Sequence, residues 1–206
     1  VWLAPSRDES STGPVLKPEA VEIWASRDAG QPDEETPAPG VQGGRERGLI
    51  IHKLLEEVLT RETDEEALTE RARALIAEIG KPVMDDPAKG LTPGELAGCV
   101  VQTLGLPEIA ELRSSLVPEL TVYVAAEAEG VEKATVGIAD ATSFDSEGRP
   151  AVVIDWKSDV QPTVETIDHY RAQVRAYLDM TGAERGLIVL VTLGQVIPVA
   201  PTLAAA

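Results

Sequence analysis

Pro150-Ala151-Val152-Val153-Ile154-Asp155-Trp156-Lys157-Ser158 carries four apolar residues, Ala151 to Ile154, and then an acid and a base two positions apart. In a β-strand alternate side chains share a face, so Asp155 and Lys157 project together while Trp156 points away. The apolar run reads as core. It places the acid and the base where a buried strand emerges. A lone Asp-x-Lys is weak evidence, since so short a triplet also arises by chance. Taken alone, a cross-strand ion pair or a solvated strand end is the simpler reading of it.

The residues upstream change that. Two further stretches, LVPELTVYVAA (Leu116 to Ala126) and KATVGIADATSF (Lys133 to Phe144), also alternate with period two. The turn Asp145-Ser146-Glu147-Gly148-Arg149 joins the second of them to PAVVIDWKS as a hairpin. Asp140 ends the run VGIAD and falls beside Asp155 across that hairpin. Two carboxylates brought together repel, and one must take a proton unless a cation is present. A divalent metal relieves the repulsion, and oxygen ligands suit magnesium or manganese. Lys157 beside the metal can hold a water or stabilise charge on a phosphoryl oxygen. A structural ion-pair cluster is the competing reading.

Helical patterns flank the strands. From Arg45, Ile51, Leu54, Leu55 and Val58 repeat at i, i+3, i+4, i+7. A second helix is expected near the Thr63-x-x-Glu66 capping box, carrying Leu68, Ala72, Leu75, Ile76 and Ile79 and stopped by Gly80-Lys81-Pro82. A third is expected at Thr92-Pro93-Gly94-Glu95, again as a capping box with proline at the first helical position, and a short one from Glu108. After the DWK strand a long helix spans about Thr163 to Met180 and ends at Thr181-Gly182. GLIVLVT then reads as a buried strand, with Gln195 to Val199 as its partner. Residues 1–44 differ: VEIWAS alternates like a short strand or docking segment, and Asp28 to Gly44 is a Pro-, Gly- and acid-rich linker. The expected division is therefore a leader and linker over 1–44 and one domain over 45–206. A leader of this kind suits a domain joined to something upstream.

Four further positions are candidates with ordinary alternatives beside them. Gln173 and Tyr177 stand i, i+4 on one helix face, where Tyr177 could equally be core and Gln173 its polar edge. His52 lies beside the apolar stripe of the first long helix, where a lone histidine is usually a packed residue. Glu119 could be a plain strand acid.

Composition excludes several classes. The net charge of −17, from 18 basic and 35 acidic residues, argues against a surface that binds nucleic acid everywhere. It leaves room for a short basic path, for which Arg171 and Arg175, one helix turn apart, are candidates, although a solvated helix face is the simpler reading of them. A single cysteine, Cys99, can form no disulfide within the chain, and a reducing cytoplasmic compartment is the expectation. One thiol also cannot hold an iron–sulfur cluster or a zinc ribbon. The longest apolar run, Leu187 to Val191, is too short to span a bilayer, so no membrane partner is expected.

RERGLIIHKLLEEVL, PEL, VGIAD, VVIDWKSD and a helix with QVRAY resemble, in that order, the motifs of the PD-(D/E)xK nuclease superfamily. They are most similar to the RecB/AddA-type nuclease domain at the carboxyl end of superfamily 1 helicases. The resemblance runs from about Arg45 to Val199. It implies an α/β fold, an α+β mixed sheet with a restriction-endonuclease-like αβββαβ core and an added N-terminal helical segment.

The same resemblance makes His52, Asp140 and Asp155 metal ligands, helped by the backbone carbonyl of Trp156. Glu119 takes the place of the family's early acid, and Lys157 that of the catalytic lysine. Gln173 and Tyr177 match the pair that steadies the site and the DNA strand. Many relatives have an arginine or another polar group where this chain has Ala141. The implied activity is Mg2+-dependent hydrolysis of DNA phosphodiesters, with Mn2+ as a substitute and no iron–sulfur cluster. It is of exodeoxyribonuclease type, in double-strand break processing and recombinational repair. The implied partners are DNA, an upstream helicase domain in the same polypeptide and a second nuclease or helicase subunit. A catalytically silent DNA-binding or scaffolding module is the alternative, and intact Asp140, Asp155 and Lys157 argue against it. A restriction-type enzyme is a third option. Against it stand the linker-like leader and a 3% aromatic content, too low for a stacking platform.

Overall fold

The computed structural model describes residues 23–25, 40–128 and 131–201. In chain order its elements are β1 (Ile23–Ala25), α1 (Arg45–Thr60), α2 (Leu68–Glu78), α3 (Pro93–Leu104), α4 (Pro107–Leu112), β2 (Leu116–Ala128), β3 (Val131–Phe144), β4 (Pro150–Lys157), α5 (Val164–Thr181), β5 (Arg185–Leu190) and β6 (Gln195–Val199). The expected succession of helices, three strands, helix and strands is present, and the fold is mixed α/β. Of the leader, the described part of VEIWAS is a strand in the sheet. Residues 28–39 of the expected linker lie outside the described residues.

β3 organises the sheet. β2 runs antiparallel along one of its edges, from Leu116 opposite Ser143 to Ala128 opposite Val131. The other edge is shared. β4 pairs antiparallel with the end of β3 as far as Ala141 opposite Ile154, while β1 pairs parallel with Val136–Ile138. β4 then continues alone beside β5, parallel to it, and β6 closes that side antiparallel. β3 and β4 thus fork just past Ala141 and Ile154, and Asp140 and Asp155 are the next residues on the two arms.

Helices cover both faces. Val152, Ile154 and Trp156 of β4 join Leu187 and Val189 of β5 under Ile51, Leu54 and Leu55 of α1. Val153, Ile188 and Leu190 face the other way, against Tyr170, Val174, Tyr177 and Leu178 of α5. This two-sided burial explains why GLIVLVT is continuously apolar rather than alternating. Small residues let α5 approach closely. A methyl group at Gly137 would lie 2.7 Å from the Tyr177 ring, and one at Gly186 would collide with Val174.

Two expected helix starts need correction. α2 begins at Leu68, with Ala67 before it and no side-chain cap. The Thr63 hydroxyl instead donates to Glu57, which is already held by Arg71, and Asp64 accepts the Ala67 N–H at 2.9 Å. Thr92 and Pro93 do open α3, but the Thr92 side chain accepts no capping bond. Glu95 turns to Arg47 and Cys99 rather than back to the helix end. At Thr92 a buried cation, Arg47, outcompetes the capping box for Glu95. Among the described residues no helix is long and apolar enough to cross a membrane.

Candidate active site

The fork in the sheet exposes backbone groups that a continuous ladder would pair, and Asp140 fills one of these places. Its Oδ2 accepts the Trp156 N–H at 2.8 Å, a bond from side chain to β4 that replaces the missing one from β3 backbone. The neighbours of Asp140 show the accompanying irregularity. Ala139 packs in the α5-side core and Ala141 in the α1-side core, although residues two apart in a regular strand share a face. Glu119, opposite Asp140 on β2 by the register of its neighbours, has φ 53, one of two positive φ values outside glycine among the described residues. Both strands are therefore distorted at one row.

That row carries the predicted acids: Glu119, Asp140 and Asp155 follow one another across β2, β3 and β4. Glu119 is exposed, whereas Asp140 is 4% and Asp155 1% exposed. His52 comes from α1, with Nδ1 3.5 Å from Asp140 Oδ1. Lys157 Nζ lies 3.1 Å from Asp155 Oδ2 and is itself 3% exposed. The shared projection expected of Asp155 and Lys157 is met, and Trp156 points its indole into the opposite core.

The two buried aspartates are driven apart in acidity. Burial works against ionisation of Asp140, but His52, Lys157 and the Trp156 N–H together hold its carboxyl below the ordinary range. Burial pushes Asp155 up to about 6, with the Asp140 charge adding to the rise and Lys157 opposing it. A carboxyl pair held in this way, with a cation on one side, is a high-energy arrangement that a divalent ion would relieve.

The two α5 residues lie in the same region. Tyr177 is 2% exposed, and its hydroxyl donates to the Ile138 carbonyl at 2.9 Å, which fastens α5 to β3 two residues before Asp140. Burial raises its phenol to about 12, while a hydrogen bond with the half-buried Gln173 acts in the other direction. Arg171 is bound to Asp168 at 2.8 Å, and Arg175 is exposed on the same helix.

Three residues of the site escape a reading of the sequence. The Tyr170 ring lies under Lys157, with Nζ 4.6 Å from its centroid, and its hydroxyl donates to both Asp159 oxygens at 2.9 Å. The spacing Tyr170–Gln173–Tyr177 is the one signal that could have included the first. Arg47, 2% exposed, donates to the Ser158 carbonyl at 2.9 Å, to the Thr192 hydroxyl at 2.7 Å and to Glu95 at 2.5 Å. It locks the strand end that follows Lys157 to α1 and α3.

Among the described residues no three His, Cys, Asp or Glu side chains already surround one point. The pair Asp140 and Asp155 nonetheless fits a hard cation. Mg2+ keeps several of its waters and is ordinarily held by one or two carboxylates.

A search of curated proteins gives no match. Among solved structures the chain is similar to the crystal structure of SSO0001, at 20% identity and a TM-score of 0.41, over 78% of this chain and 80% of that one. The model of the PD-(D/E)XK nuclease superfamily matches residues 24–194, which takes in every residue of the site described above. The chain belongs to the PD-(D/E)XK nuclease superfamily.

Proposed function

We propose that this chain is a Mg2+-dependent exodeoxyribonuclease whose reacting centre is the fork at Asp140 and Asp155. Residues 45–206 form the catalytic domain, and β1 adds a strand to its sheet from the leader. The observation that carries the reading is the row itself: two buried carboxylates in register on forked strands, with Lys157 on one and His52 on the other.

Asp140 and Asp155 would hold the ion, with His52 on the α1 side. The Trp156 carbonyl is a suitable further ligand, because the N–H and C=O of one strand residue leave on the same edge, and the N–H is bonded to Asp140. Bound there, Mg2+ would supply a water of lowered pKa and polarisation of a phosphate oxygen. Lys157 orients the attacking water and offsets developing negative charge, an ammonium fixed beforehand in a water-poor setting. Glu119, exposed on the same row, is placed to take part in holding that water or a second ion. Tyr177 and Gln173 keep α5 seated on β3 behind the site.

The order of the five motifs supports the RecB/AddA type. On that basis the chain is read as the nuclease part of an ATP-dependent helicase-nuclease in the cytoplasm, acting in break processing and recombinational repair. Its net charge of −17 fits a domain that relies on an attached motor, and on a second subunit, for DNA affinity. The test takes linear duplex DNA and Mg2+. Asp140→Ala, Asp155→Ala and Lys157→Ala are each expected to abolish cutting while the fold survives. Near-native turnover in Lys157→Ala would remove the lysine from the chemistry. Full, ATP-independent activity of the isolated chain, equal to that of a helicase-linked form, would remove the motor and leave the nuclease.

A further inference from the structure

We infer that Tyr170, anchored by Asp159, is a positioning residue that holds the Lys157 ammonium in its working place. The inference rests on the reading of Lys157 as the reacting lysine. Lysine has a flexible four-carbon stem and a compact charge, so an isolated lysine ammonium samples many positions. Here it is bounded on two sides. Asp155 Oδ2 lies 3.1 Å from Nζ, and the Tyr170 ring face lies 4.6 Å from it. The carboxylate alone would draw the ammonium onto the ligands. The ring supplies a second attraction through its negative face, directed away from them.

The ring itself is fixed. Tyr170 is 7% exposed and packs in the α5-side core, while its hydroxyl donates to Asp159, two residues beyond Lys157 on the chain leaving β4. The contact between Lys157 and Tyr170 is therefore tied at both ends to the segment that carries the lysine. An ordinary packing role for Tyr170 would not require this anchor, since leucine or phenylalanine would fill the same space without a buried hydroxyl to satisfy.

The test measures single-turnover cutting by the full chain at saturating DNA and Mn2+. Tyr170→Phe keeps the ring and loses the anchor. Tyr170→Met keeps the bulk and loses both. Asp159→Ala removes the anchor from the other end. The expected loss in rate is about 30-fold for Tyr170→Met, equivalent to about 2 kcal/mol of desolvated cation–π attraction. For Tyr170→Phe and for Asp159→Ala it is about 5-fold. The Phe/Ala double variant should be no slower than either single one, because both remove the same bond. KM for DNA and the Mn2+ dissociation constant from calorimetry should stay within about two-fold throughout.

Equal losses in Tyr170→Phe and Tyr170→Met would show that the ring face is irrelevant. Additive losses in the double variant would separate Asp159 from Tyr170. A Mn2+ affinity that falls in step with the rate would make Tyr170 a support of the metal site instead. Should Tyr170→Met not fold, unchanged rates in Tyr170→Phe and Asp159→Ala would overturn the proposal by themselves. Lys157→Ala run alongside separates the two levels. Retained cutting there defeats the catalytic lysine, whereas loss there with full activity in the Tyr170 variants defeats the positioning role alone.

Discussion

Asp140 Oδ2 accepts the Trp156 N–H at 2.8 Å across the point where β3 and β4 part, so one carboxylate both closes the sheet and faces the site. The fork leaves a buried donor without a ladder partner, and an acid that reaches over supplies it. The remaining oxygen, Oδ1, is directed at His52. Fold and chemistry are thus joined in a single side chain, and substitutions that differ in hydrogen-bonding capacity should separate them.

Asp140→Asn keeps an acceptor for Trp156, and Asp140→Ala does not. Both should lose cutting. The alanine variant should also be less stable than the asparagine variant by about 1–3 kcal/mol, the cost of an unsatisfied buried donor. Urea unfolding of the two metal-free proteins measures the difference. Equal midpoints and slopes would mean that the bond to Trp156 contributes nothing.

If Asp155 holds the metal as proposed, it should set a pH dependence for metal binding. Its carboxyl is raised by burial to about 6, above its unfolded value. The protonated form therefore favours the metal-free fold. This contribution is fully present below the unfolded pKa and is lost as pH rises through about 6. A metal needs the ionised form and so displaces the proton. Mn2+ affinity should climb about tenfold per pH unit below 6 and flatten above it. Calorimetry in buffers of different ionisation heat should also detect proton release at pH 5.5 and little at pH 8. A flat affinity between pH 5 and 7 would contradict the assignment. Crystals grown with Mn2+ should place the ion about 2.0–2.6 Å from Asp140 and Asp155.

Glu119 sits at φ 53 in a strand. A left-handed conformation costs a residue with a Cβ about 1–2 kcal/mol, and glycine escapes it. Glu119→Gly and Glu119→Ala remove the same carboxylate. They should impair cutting equally, yet the glycine variant should be the more stable by about 1 kcal/mol. Thermal melts distinguish them, and an alanine variant as stable as glycine would mean that the backbone relaxes without the glutamate.

Much of this architecture is legible in the sequence. Period two in Ala151 to Lys157 places Val153, Asp155 and Lys157 on one face, and the short turn at Asp145–Arg149 brings Asp140 next to Asp155. These are local facts, and local geometry decides them. The contact between Tyr170 and Lys157 depends on how closely α5 lies on the sheet, which Gly137 and Gly186 permit but do not announce. Nothing in the sequence marks Arg47, because Glu95, Ser158 and Thr192, 48 to 145 residues away, converge on it only in the fold. The Thr63 hydroxyl turns back to Glu57, which Arg71 holds. The capping box at Thr92 fails for the same reason that hides Arg47, because Arg47 draws Glu95 into a pair. Long-range pairing of buried charge overrides a local motif, and no window of sequence contains it.

Charge limits how DNA reaches the site. Cutting requires phosphate to approach a centre already rich in carboxylates, on a chain with 35 acids against 18 bases. Basic groups that are paired within the protein contribute little to this approach, and Arg171 is such a group, bound to Asp168 at 2.8 Å. Arg175 is exposed one turn further along α5, on the helix that carries Gln173 and Tyr177. Each phosphate neutralised by a protein cation adds about −0.9 to the slope of log affinity against log salt. With so few cations available the isolated chain should show a slope no steeper than about −2, and micromolar or weaker binding to duplex DNA. Arg175→Gln should flatten that slope by about one, whereas Arg171→Gln should change it by much less because Asp168 already holds the charge. Titrations by fluorescence anisotropy between 25 and 200 mM KCl, in Ca2+ to prevent cutting, read both effects. A slope of −5 or steeper, unaffected by Arg175→Gln, would mean that DNA follows a different basic path and that α5 does not face it.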